Sequence, residues 1–226
     1  MKSFLLFLLG ISLVGCVAKE TNADQAHLFA DYYVRFLQTE QQVKAYATFL
    51  EGDSLETAQP APWLEVVNFQ GNPMESRSIG AQSKRFVYNG AANFTNGFTF
   101  TYKDKNKKEQ KITIPMPGIQ DFSVLGVASK ANGMSIQLSG PDIAENESLI
   151  LLFTDSRNAS STIPLPGPIK MGGTLTLPAS YLRSVSLGKN KLYLVRNLKS
   201  ITRTLEQDIT IESEFYSKTV ELQVVE

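Results

Sequence analysis

From residue 32 onward, hydrophobic and polar positions alternate with a period of two. In Val43-Lys44-Ala45-Tyr46-Ala47-Thr48-Phe49, the residues Val43, Ala45, Ala47 and Phe49 fall on one face. Phe98-Thr99-Phe100-Thr101-Tyr102 alternates strictly, and Lys111-Ile112-Thr113-Ile114 follows it. Alternation among aromatic and β-branched residues is the signature of half-buried strands. Lys103 to Lys108 is a polar tip between two such strands, which predicts a β-hairpin. Tyr32 to Phe36, Trp63 to Phe69 and Arg85 to Tyr88 are further predicted strands. Gly52-Asp53, Gly71-Asn72-Pro73, Asn89-Gly90 and Asn96-Gly97 supply the turns between them. Helical spacing competes at one place: Ala26, Phe29, Ala30, Tyr33 and Leu37 share a helical face, and no Gly or Pro occurs from Cys16 to Glu51. The aromatic and β-branched content favours a strand from Tyr32.

A second set of strands is predicted beyond Pro115-Met116-Pro117-Gly118: Phe122–Val127, Met134–Leu138, Leu149–Thr154, Thr174–Leu177, Lys191–Arg196, Asp208–Glu212 and Phe215–Val224. Leu149 to Phe153 is apolar on both faces, as a central strand requires. Strands at short intervals, joined by Gly/Pro turns, predict an all-β chain of antiparallel sandwiches. The two prolines and glycine at 115–118 are the expected boundary between two units. The predicted organisation is 1–15 as a signal peptide, 16–30 as a lipidated Cys and tether, 31–115 as a first sandwich and 116–226 as a second.

The N-terminus carries an address. Lys2 precedes an apolar run from Phe4 to Val14, interrupted only by Gly10 and Ser12. The run is too short to span a hydrocarbon core of about 30 Å but suits a signal-peptide core. Leu13-Val14-Gly15-Cys16 resembles the lipobox of bacterial lipoproteins. The resemblance implies cleavage before Cys16, diacylglycerol on its thiol and an acyl chain on the new amino group. Val17 stands where an Asp would mark inner-membrane retention in enterobacterial relatives of that family, so the resemblance points to the outer membrane. Val17 to Ala30 is polar and small at first and reads as a tether, extending to roughly 45–50 Å.

The second half also resembles immunoglobulin-like and fibronectin type III-like modules of envelope proteins. The residues carrying this are Lys191-Leu192-Tyr193-Leu194-Val195-Arg196 as a penultimate strand and Tyr216 to Val225 as a closing one. The resemblance implies two antiparallel immunoglobulin-like β-sandwich domains in tandem. No Cys pair flanks Trp63.

Composition narrows the chemistry. Of 226 residues, 42% are hydrophobic, an ordinary globular share. Lys+Arg and Asp+Glu are 22 each, so the formal charge is zero and nucleic acid is not an expected partner. One His and one Cys leave little for Cys-His or Ser-His-Asp catalysis or for the usual zinc sites. His27 falls in the tether, where no partner would hold it. Ser129-Lys130 and Ser217-Lys218 are strand neighbours, pointing to opposite faces. Asp142, Glu145, Glu147 and Asp155 cluster around one loop without calcium-loop spacing. No catalytic residue, metal or cofactor is therefore expected.

What remains is binding. Trp63 is the one indole, and the adjacent Tyr32 and Tyr33 would each send a ring to a different face. Lys105 and Lys107 stand in the most basic stretch, Lys103 to Lys111, suited to anionic headgroups or simply to protecting a sheet edge. The expected role is a non-catalytic, lipid-anchored envelope adaptor. The alternative is a carbohydrate-binding lipoprotein, with Trp63, Tyr32, Tyr33, Lys105 and Lys107 as candidate ligand contacts.

Overall fold

The computed structural model describes residues 26–79 and 83–226. The predicted signal peptide, Cys16 and the predicted tether as far as Gln25 lie outside the described residues. The chain is all-β, with strands β1 (His27–Leu37), β2 (Gln42–Gly52), β3 (Gln59–Pro60), β4 (Val67–Phe69), β5 (Asn72–Pro73), β6 (Glu75–Ile79), β7 (Ser83–Ala91), β8 (Gly97–Lys103) and β9 (Glu109–Pro115). Then follow β10 (Asp121–Ser129), β11 (Gly133–Ser139), β12 (Glu147–Asp155), β13 (Ser160–Pro166), β14 (Thr174–Leu177), β15 (Gly188–Arg203), β16 (Gln207–Tyr216) and β17 (Val220–Val225). Among the described residues the one helical segment is a 3₁₀ turn, Ala179–Leu182.

The expected alternation produces the expected faces. Val43, Ala45, Ala47 and Phe49 of β2 are all buried, and so are Phe98, Phe100 and Tyr102 of β8. The hairpin of β8 and β9 pairs Phe98 with Ile114 and Lys103 with Glu109. The sheet β4-β8-β9, edged by β5, covers the inner face of β7-β2-β1-β16. Tyr32 meets Phe100 at 5.1 Å and Phe49 meets Tyr102 at 4.9 Å between ring centroids. Such edge-on aromatic contacts add to the area buried between the layers. β12 pairs with β13 on one side and β15 on the other, as its two-sided apolar run predicts.

The tether reading fails at its last residues. Residues 27–30 belong to β1, which begins five residues before Tyr32. The cause is partnership on both edges: Leu28–Leu37 pairs in parallel with Gln207–Tyr216 and antiparallel with Glu51–Gln42. Two ladders satisfy the backbone of this segment and override its helical spacing. Trp63 to Phe69 is strand only from Val67. The Leu64 N–H instead donates to Ala61 across a turn, and Pro62 has no N–H to give to a ladder.

β15 and β16–β17 form a long antiparallel ribbon. Val195 pairs with Tyr216 and Leu192 with Val220, so β17 continues β16 past an irregularity at 217–219. There the Ser217 hydroxyl accepts from the Leu194 N–H at 2.8 Å, restoring the lost ladder bond. One half of this ribbon pairs with β12 and β10, the other half with β1. Hydrogen bonding thus runs without a break from β14 through β10, β17, β15, β16 and β1 to β6.

The link at 115–118 is held from several sides. The Ser213 hydroxyl donates to Pro115 O at 2.7 Å, Met116 N–H donates to Asn96 O at 2.9 Å, and Arg196 Nη1 donates to Gly118 O at 3.3 Å. Met116 and Ile119 are buried. Gly118 lies against the Phe94 ring so closely that a Cβ would come within 2.7 Å of it.

Candidate functional site

Three of the candidate contacts meet at one end of the molecule. β4 pairs with β8, which brings the turn carrying Trp63 against the base of the β8–β9 hairpin. Trp63 is half-buried, and its indole N–H donates to Glu51 at 2.9 Å. A groove on one side is lined by Trp63, Tyr102, Lys105, Gln110 and Glu206; a groove on the other by Trp63, Val66, Asn68, Lys103 and Lys107. The hairpin tip is fixed by Asp104, whose carboxylate accepts from the Asn106 and Lys108 N–H groups and from Gln110. Lys107 takes a positive φ of 61° at this turn. The tip therefore presents Lys105 and Lys107 on a rigid base, one toward each groove.

Tyr32 and Tyr33 do not join them. Tyr32 is fully buried, its ring between Phe49 and Phe100, and burial pushes its phenol well above the usual range. Tyr33 does point to the outer face, but it is covered there. Its ring stacks on Tyr46 at 4.3 Å and its hydroxyl donates to Glu214 at 2.5 Å. It belongs to a ladder across five strands. Tyr193 packs on Tyr216 at 5.9 Å, the Arg35 guanidinium lies 4.9 Å from Tyr216 and 5.6 Å from Tyr33, and Arg85 lies 4.7 Å from Tyr46. Arg35 also pairs with Glu214 at 2.7 Å. Burial and the Glu214 charge push the Tyr216 phenol up to about 12. Stacked rings and cation–π contacts of this kind tie β15 and β16 to β1, β2 and β7. Tyr33 is held by the fold, and with Arg35, Lys44, Tyr46 and Tyr88 it lines a separate groove that does not include Trp63.

His27 is likewise held. It stands in β1, where Nε2 lies 3.0 Å from Asp208 Oδ1 and Nδ1 lies 3.3 Å from Leu205 O. The imidazole fastens the start of β1 to the tip of the β15–β16 ribbon. Three of the four clustered carboxylates are also engaged, while Glu145 is exposed. Glu147 pairs with Arg196 at 2.5 Å, Asp142 with Lys170 at 2.6 Å and Asp155 with Arg157 at 3.1 Å.

Sequence reasoning missed a surface at the opposite end. Leu187, Val225 and Val127 are exposed. Gly188 and Ala128 both pair with Val224, so Leu187, Val127 and Val225 each stand one residue from that row. These exposed apolar residues come from just before the start of β15 and from the ends of β17 and β10. Beside them lies a groove of about 520 Å³ lined by Asp155, Asn158, Lys189, Lys191, Glu221 and Gln223. Apart from Phe94, the exposed large apolar residues divide between the two ends. Leu55, Val66, Ile79, Ile201 and Leu205 lie at the Trp63 end, and Leu125, Val127, Tyr181, Leu187 and Val225 toward the other, while Phe94 lies between them against Phe36, Phe215 and Gly118. Only sheet pairing reveals this, because each residue alone looks like an ordinary alternating strand position.

Asp155 anchors the groove's rim. The Ala159 N–H, against the opposing effect of burial, and then the Arg157 N–H and guanidinium hold its carboxyl down at about 2. A depressed carboxylate stabilises the fold above its unfolded value of about 3.9 and loses that contribution as pH falls toward about 2. Asp155→Asn is therefore expected to lower Tm at pH 7 and to shrink the Tm loss between about pH 4 and 2. An unchanged acid limb in thermal scans of the variant would remove Asp155 from this role.

Neither a scan against protein-family models nor a search of the curated proteins returns a match for this chain.

Proposed function

We propose that this protein is a non-catalytic adaptor of the bacterial cell envelope, held on the outer membrane by lipid on Cys16. Its partner is an envelope protein, docked at the end remote from the start of β1. The observation that carries this reading is the set of exposed apolar residues Leu187, Val225 and Val127 beside a polar groove. Apolar side chains rimmed by charged and amide groups are how protein interfaces are built. Sheet order supports the finer immunoglobulin-like description of the second half. β14-β11-β10 makes one layer and β13-β12-β15-β17 the other, with the end of β10 crossing over to pair in parallel with β17. In the tandem arrangement the first sandwich takes β16 from the second as the parallel partner of β1.

The test is cross-linked co-purification from the envelope. A partner captured by the wild type is expected to be lost with Val127→Glu combined with Leu187→Glu, at unchanged Tm, while Trp63→Ala retains it. A second reading, carbohydrate binding, is favoured by one observation: the half-buried Trp63 ring stands between two polar grooves. It predicts calorimetric binding of a glycan that Trp63→Ala weakens by about 1–3 kcal/mol. Capture that ignores the Val127 and Leu187 changes, together with such a glycan signal, would replace the first reading with the second.

A further inference from the structure

The end of the molecule where β1 begins gathers several tips. His27 pairs with Gly52, so the loop after β2 lies there. Leu28 pairs with Gln207, so the β15–β16 turn lies there too. One groove joins Ala26 and Leu28 to Asp104, Lys105 and Asn106 of the β8–β9 turn and to Glu206. The described chain therefore starts in the middle of these tips, pinned by His27 to Asp208 and Leu205.

The side chains displayed on these tips are unusual for a face turned to water. Leu205, at the apex of the β15–β16 turn, is fully exposed, and Leu55 and Val66 are more than half exposed. Trp63 shows one edge beside them. Isolated exposed apolar residues need no explanation, but these sit together where the chain begins. Among them stand Lys103, Lys105, Lys107, Lys108 and Lys111, against Asp104, which is used by its own turn, and Glu109. Asp53, Glu56 and Glu206 occupy the neighbouring tips, and Glu51 and Glu65 line the two grooves beside Trp63, so the positive charge is confined to the hairpin itself. Aliphatic tips with an interfacial Trp and lysines are the chemistry of a protein surface that rests in the headgroup layer.

The length of chain between this end and Cys16 says what covers it. Ten Cα–Cα steps separate Cys16 from Ala26, so the two are at most about 36 Å apart. A lipid on Cys16 would hold this end within about 36 Å of the bilayer, closer than any other part of the described chain is tethered. β15 alone, with 16 residues, extends roughly 50 Å from the Leu187 end to this one.

We infer that the end bearing Leu55, Trp63, Val66, Leu205 and the Lys103–Lys111 hairpin is a membrane-contact surface that seats the protein upright on lipid. Leu205 and Leu55 enter the interface, and the lysines give a preference for anionic headgroups that the nearby carboxylates moderate. The opposite sandwich then points away from the membrane with its exposed apolar residues free. The inference rests on the lipid-anchor reading for its setting, but its contact is made by side chains and exists without the acyl chains.

The experiment uses residues 17–226, which carry no lipid and contain every described residue. Flotation is measured with phosphatidylcholine vesicles and with phosphatidylcholine–phosphatidylglycerol vesicles. The protein is expected to float with both and more strongly with the second. Leu205→Glu should weaken partitioning about tenfold, the factor that withdrawing one buried leucine gives. The Leu205 side chain is fully exposed and only its backbone carbonyl meets His27, so the variant should keep its circular dichroism and Tm. Val127→Glu, at the far end, should float like the wild type. No flotation of the wild type, or flotation indifferent to Leu205→Glu, would overturn the inference. Fatty-acid labelling of the full chain reports on the anchor separately, so failure of one is not failure of the other.

Discussion

Replacing Arg196 by alanine is expected to destabilise the protein by about 3–5 kcal/mol, the cost of stripping one partner from a buried ion pair. Arg196 and Glu147 are 2% and 4% exposed, and they meet at 2.5 Å. The guanidinium does more than neutralise a carboxylate. It donates to Pro141 O and Asp142 O at 2.7 Å each and to Gly118 O at 3.3 Å. Glu147 in turn accepts from the Ala144 N–H at 2.7 Å. One side chain on β15 thus gathers the 140–147 loop and the 115–118 link onto a single strand. Alanine would leave the Glu147 charge and three carbonyls without their partners in a dry place. Arg196→Met with Glu147→Leu removes the stranded charge and is expected to recover part of the loss, though not all, because the carbonyls stay unpaired. Calorimetry of the wild type should show one transition, since β1 has β16 as its edge partner. The Arg196 variant should unfold earlier and in the same single step. A change below about 1 kcal/mol, the scale of an exposed pair, would show that water reaches this site.

How much of this was legible in the residues differs by element. Local strands were: Val43 to Phe49 and Phe98 to Tyr102 alternate because one face is covered, and covering is what alternation records. The β8–β9 turn was legible from its polar tip. The pairing of Leu28–Leu37 with Gln207–Tyr216 was not, because about 180 residues separate the partners and the ladder bonds are made by backbone. That pairing decides three things at once: it turns His27 to Ala30 from tether into strand, it gives His27 its Asp208 partner, and it sets Glu214 on Tyr33, whose other side the β1–β2 ladder covers with Tyr46. Alternation correctly sent the Tyr32 and Tyr33 rings to different faces, but it cannot say which ring points outward or whether the outer face is bare. The same blindness hid the far-end surface, where Val127, Leu187 and Val225 come from strands that meet only in the folded sheet. Trp63, Lys105 and Lys107 were each marked by residue type, and the β4–β8 pairing explains why they share one end.

Changing Cys16 to alanine is expected to abolish membrane anchoring, the largest functional effect of any single substitution in this chain. Each buried CH2 of an acyl chain contributes about 0.8 kcal/mol, so several chains on one residue make attachment nearly permanent. Among the described residues no helix is long and apolar enough to cross a membrane. The side-chain contact at the Leu205 end is far weaker than acyl insertion and should not retain the protein through washing. The most direct measurement is metabolic labelling with a fatty-acid analogue, followed by membrane fractionation, on the wild-type chain and on Cys16→Ala. Label and membrane sedimentation are expected for the wild type; the variant is expected to take up no label and, where its signal is still cleaved elsewhere, to leave the membrane fraction. Label that persists in the variant, or a wild-type protein that takes up none, would contradict the lipid anchor on Cys16.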